Sequence, residues 1–140
     1  MGSKTLEGAL GFIVGLMVCG ILFLIFEIPD YPEGIVSNTL FYIFIFPVIE
    51  ETFKFIPLKS SSFKNYIIVG LMIGLGFGLL ENFIRIYPNQ FGLLTNRIGA
   101  SLIHLDTGLL MGFAVSKKKG WLGWLLAILL HSLFNFWISI

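Results

Sequence analysis

The chain has 140 residues, 56% of them hydrophobic and only 12% charged, with a net charge of +1; its mean hydropathy is +0.92. Soluble domains carry roughly 25% charged residues, so this balance excludes an ordinary soluble fold and points to an integral membrane protein. No basic stripe interleaves with aromatics, which excludes nucleic acid as a partner.

In chain order, the first apolar stretch covers roughly Leu6 to Phe26. No small-residue cleavage site follows it, so it reads as a retained span rather than a signal peptide. It holds the single cysteine, Cys19, expected to be a lipid-facing or packing residue. A proline- and acid-rich turn, Glu27 to Glu33, ends it. The second stretch, about Ser37 to Leu58, contains Pro47. A proline there is expected to kink the helix or to free a carbonyl near its carboxylates. A polar linker from Lys59 to Asn65 precedes stretches at about Tyr66 to Tyr87, Leu94 to Val115 and Trp121 to Ile140. All are long apolar runs and read as helices. The expected fold is therefore all-α: one integral membrane domain over residues 1–140, a polytopic bundle of about five spans of about 20 residues each.

Lys4, Lys59, Lys64 and the triplet Lys117-Lys118-Lys119 share one side of a five-span bundle. Glu27, Asp30 and Glu33 take the other, with Arg85 and Arg97 near helix ends. The positive-inside rule then predicts a cytoplasmic N-terminus and an outside C-terminus. Small residues recur at four-residue spacing: Gly11 and Gly15; Gly70, Gly74 and Gly78; Gly108 and Gly112; Gly123 and Ala127. Such ridges let helices approach closely in lipid. His104 and His131 stand on two of them and should face protein.

Four of the stretches carry groups foreign to lipid: Glu50, Glu51 and Lys54; Glu81 and Asn82; His104 and Asp106; His131 and Asn135. A charge at mid-bilayer costs at least about 2.5 kcal/mol, so such residues default to a functional site. Each has a blander reading. Glu50 or Glu51 with Lys54 is a helix-spaced ion pair that could lock packing, although burying one seldom stabilises. Glu81 could snorkel to the outer interface, His104 could be a hydrogen-bonded core residue, and Asn135 could join helices. The whole set is harder to explain that way. Two histidines and up to three glutamates from four helices can build either a zinc site with a water or a metal-free acid–base site. There is no His-Glu-x-x-His, no Gly-x-Ser-x-Gly and no second aspartate within a span, which leaves hydrolysis by activated water.

The ordered set Glu50-Glu51-x-x-Lys54, Phe77-x-x-x-Glu81-Asn82, Arg97 leading to His104-x-x-Thr107 with Gly108 and Gly112, and His131-x-x-x-Asn135 resembles the PrsW family of intramembrane proteases, related to the CAAX-type membrane proteases. The CAAX relatives carry a histidine where this chain has Glu81 and an arginine-type ending where it has Lys54, which favours the PrsW branch. The resemblance implies an endopeptidase of a prokaryotic cell membrane, acting on a membrane-embedded protein substrate. Cleavage of a membrane-bound anti-sigma factor is the analogy it offers. It implies that Glu50 is the general base, tuned by Glu51 and Lys54. Glu81, His104 and His131 position the water directly or through Zn²⁺, and Asn135, alone or with a protonated His131, donates to the oxyanion. The expected site lies between spans two to five. The alternatives are an ion- or proton-coupled transporter using the same carboxylates and imidazoles, and an adaptor whose polar residues only join helices.

Overall fold

A computed structural model of the chain describes residues 2–26, 40–60, 62–86 and 94–139. Helix α1 spans Gly2–Phe26, and a π-helical turn at Phe41–Ile45 runs into α2, Phe46–Ser60. Three further helices follow: α3 at Tyr66–Ile86, α4 at Leu94–Ser116 and α5 at Gly120–Ser139. The acid-rich turn from Glu27 to Glu33 and the side chain of Arg85 lie outside the described residues.

The chain is an all-α integral membrane protein; among the described residues four helices, α1, α3, α4 and α5, are long and apolar enough to cross a membrane. Helix α2 differs in composition: its 15 residues include Glu50, Glu51, Lys54 and Lys59. The expectation of five spans thus reduces to four apolar ones and a charged helix beside them.

Helix α3 occupies the middle, packed along its length against α1 on one side and α4 on the other. The glycine ridges explain why it can. A methyl group at Gly74 would lie 2.8 Å from the His104 carbonyl carbon, and one at Gly70 would lie 2.9 Å from Gly112 Cα. On the other face, one at Gly15 would lie 2.9 Å from Phe77 N. These contacts are backbone against backbone, which no side-chain rotation relieves. Gly76, outside the four-residue ridge, serves α1 as well, its Cβ position 3.2 Å from Leu16 N.

Two apolar clusters flank this seam. One joins Phe55, Leu58, Val69, Ile73, Met111 and Ala127; the other joins Val18, Cys19, Leu22 and Phe77. Cys19 is thus a packing residue. Leucines and aromatics such as Leu129, Leu133, Phe136 and Trp137 point outward, as lipid-facing residues should.

The α4–α5 connection is a Schellman turn. Lys119 N–H donates to Ala114 O at 2.8 Å and Lys118 N–H to Val115 O at 2.9 Å. Lys118 takes the left-handed backbone, φ 59°. The turn reverses the chain within three residues and lays α5 antiparallel to α4. At the same end, Glu7 of α1 accepts bonds from Asn65 N at 2.9 Å and Asn65 Nδ2 at 2.8 Å, tying α1 to the linker before α3.

Candidate active site

The π-helical turn and Pro47 begin the site. Phe46 N–H closes a five-residue-spaced bond to Phe41 O. The next such bond would run to Tyr42 O from residue 47, which is proline and has no N–H. Asn135 of α5 supplies the donor instead, its Nδ2 lying 3.1 Å from Tyr42 O. Pro47 thus cannot donate to the Tyr42 carbonyl, and α5 does. π-turns of this kind cluster at functional sites.

One turn later, Glu50, Glu51 and Lys54 are all buried. Lys54 sits at the centre of the polar layer and chooses Glu51: Nζ is 2.6 Å from Glu51 Oε1. The same ammonium is 3.0 Å from His104 Nδ1 and 3.4 Å from Thr107 Oγ1. It also lies 4.8 Å from the centre of the Phe77 ring. Glu51 Oε1 is shared with His131 Nδ1 at 2.7 Å. Its other oxygen is buried with no hydrogen-bond partner among the described residues. A pair serving only to lock helices would satisfy both oxygens, so this asymmetry argues against the packing reading.

The imidazoles lie edge to face, ring centres 4.9 Å apart. His104 Nε2 is 2.6 Å from Glu81 Oε2, and His131 Nε2 is 3.5 Å from Glu50 Oε2. Glu50, Glu81, His104, His131 and Asn135 all line a cavity of about 180 Å³, which Tyr42, Phe46 and Arg97 help to close. That volume holds several waters and the lining offers them polar partners.

Four helices, α2 to α5, thus bring Glu50, Glu51, Lys54, Glu81, His104, His131 and Asn135 into one layer. Asp106 does not join it. It is exposed, because residues two apart on a helix face different ways and His104 takes the inward face. Asn82 is nearby but structural: Nδ2 donates to Ser101 Oγ at 2.6 Å and Arg97 O at 3.0 Å, clamping α3 to α4. The Tyr42 carbonyl, Thr107 and the ring of Phe77 join the site through contacts that no spacing in the sequence specifies. Pro47 was the available signal for Tyr42. For Thr107 and Phe77 the motif spacing was visible but their convergence on Lys54 was not.

Could this layer hold a metal? Glu50, His104 and His131 each offer one ligand atom, all within 4.8 Å of one another. His131 also has its second nitrogen on a carboxylate, the usual way of orienting a metal-bound imidazole. The cluster is geometrically compatible with a metal ion and with activating a water.

Residues 6–140 match the family model described as PrsW family intramembrane metalloprotease. No curated protein and no solved structure matches the chain.

Proposed function

Because the chain belongs to the PrsW family of intramembrane metalloproteases, we propose that it hydrolyses a peptide bond of a membrane-embedded protein substrate with water activated at Glu50. The observation that carries this reading is the gap between Glu50 Oε2 and His131 Nε2. At 3.5 Å it is too long for a good direct hydrogen bond and suits two groups sharing one water.

In this reading Glu50 takes a proton from the water as its oxygen adds to the scissile carbonyl carbon. The carbonyl π electrons move to the oxygen, and Asn135 stabilises that charge with the amide hydrogen not used on Tyr42 O. Glu50 then returns the proton to the leaving nitrogen as the C–N bond breaks. Glu51 and Lys54 hold the surrounding side chains in place, and Glu81 and His131 position the water. A bound Zn²⁺ would supply Lewis-acid charge and a more acidic water; on distance alone Glu50, His104 and His131 would hold it, with Glu50 then a ligand rather than the base.

We read α2 as a fifth span, with the site between spans two to five. Burial of Glu50, Glu51 and Lys54 by neighbouring helices supports this, since charge inside a bundle does not meet lipid. The Glu7–Asn65 bonds and the packing of Gly120 near Phe55 support one lysine-rich end, read as cytoplasmic.

The test is reconstituted protein incubated with single-span candidate substrates. Wild type should release a fragment that Glu50→Gln, equally well folded, does not. Equal cleavage by both would remove Glu50 as the base. Chelation with metal analysis separates a zinc-dependent from a glutamate-only centre.

A further inference from the structure

We infer that Lys54 sets the two histidines of the cavity in opposite tautomers. His131 then offers a nitrogen lone pair, whereas His104 offers an N–H to Glu81, positions that carboxylate and ligates no metal. The inference takes its meaning from the hydrolytic reading above but is measured without turnover.

The argument is one of donors and acceptors. An ammonium donates and never accepts. With Lys54 Nζ 3.0 Å from His104 Nδ1, that nitrogen must present its lone pair. The proton of a neutral His104 is then on Nε2, 2.6 Å from Glu81 Oε2, where it is donated to the carboxylate. Ligation through Nε2 would need the proton on Nδ1, facing the ammonium. Two donors would then meet at 3.0 Å between two buried side chains, Lys54 being 0% and His104 1% exposed. Distance alone admits His104 to the metal set; the hydrogen bond on its far side excludes it.

His131 is the opposite case. Its far nitrogen, Nδ1, is 2.7 Å from Glu51 Oε1, a carboxylate oxygen that only accepts. The proton of a neutral His131 therefore sits on Nδ1, and its Nε2 lone pair faces Glu50. Glu51 Oε1 and Lys54 Nζ, 2.6 Å apart, thus impose contrary states on two rings that touch edge to face. The chain Glu51–Lys54–His104–Glu81 ends on a carboxylate that lines the cavity. Lys54 and His104 are positioning residues for Glu81, which lines the cavity with Glu50 and His131.

The chain has only two histidines, so histidine-selective ¹⁵N labelling of the full protein in lipid nanodiscs gives four ring-nitrogen signals. At neutral pH without metal, His104 should show a bare Nδ1 and a protonated Nε2, and His131 the reverse. A proton on His104 Nδ1, or the same tautomer in both rings, overturns the inference. Lys54→Met should let His104 move toward its other tautomer while His131 keeps its own, and Lys54→Arg should restore His104. An unchanged His104 in Lys54→Met overturns the role of Lys54. If that variant does not fold, the wild-type signals still decide the tautomers. On adding Zn²⁺, loss of the His104 Nε2 proton would overturn the exclusion of His104, and its retention supports it. An absence of protease activity alongside opposite tautomers would count against the hydrolase reading alone.

Discussion

Along the α1–α3–α4 seam, helices meet as glycine against backbone; between α2, α4 and α5 they meet through Glu51, Lys54, His104 and His131. The first region is held chiefly by close van der Waals contact, the economical way to join helices in lipid, with the Asn82 and Glu7 hydrogen bonds near its two ends. The second buries ionisable groups whose desolvation costs several kcal/mol per ion, and leaves a cavity among them. A bundle needing only cohesion could have extended its glycine seam. The contrast separates a scaffold from a working site. His104 links them: its backbone carbonyl packs against Gly74 while its ring faces the cavity.

Breaking each side should give different signatures. The largest effect is expected from Glu50→Gln, with hydrolysis falling by about 10²–10⁴-fold and thermal stability near wild type, because the amide has the carboxylate's shape. Loss of fold instead would make Glu50 a scaffold residue. Next is Gly74→Ala, whose methyl group meets the His104 carbonyl carbon at 2.8 Å. Overpacking should cost about 1–3 kcal/mol in unfolding measurements and lower activity too, since the displaced backbone carries His104. If activity is unchanged, seam and site are not mechanically joined.

Gly20→Ala sharpens the same point from the opposite direction. Among the described residues its methyl group would meet only Leu80 Cδ2, at an ordinary 3.8 Å. Helix propensity then predicts a gain of up to about 1 kcal/mol, and a loss would show the seam extends further than the close contacts do. The smallest effect belongs to Asp106→Asn. That side chain is exposed, so stability should stay within about 0.5 kcal/mol and cleavage should not change. A large loss of cleavage would return Asp106 to the site.

Much of this was legible because hydropathy and the helix period are one-dimensional signals. Tyr66–Ile86 and Gly120–Ser139 lie within a residue or so of the ends expected from composition, and the four-residue glycine ridges mark the faces that touch. Helix α2 was harder to read, since a helix bearing Glu50, Glu51 and Lys54 fails a hydropathy test whatever its place in the bundle.

The amino-acid sequence alone determined the helices, their close-packing faces and which residues could do chemistry, since these follow from composition and spacing along one chain. Only the tertiary structure decided that Lys54 pairs with Glu51 rather than Glu50, that Asn135 meets the Tyr42 carbonyl, to which Pro47 cannot donate, and that His104 lies between Lys54 and Glu81. Positions 50 and 51 are both within reach of 54 on a helix. The choice between them depends on how far each helix is rotated against its neighbours, and no spacing within a single segment carries that information.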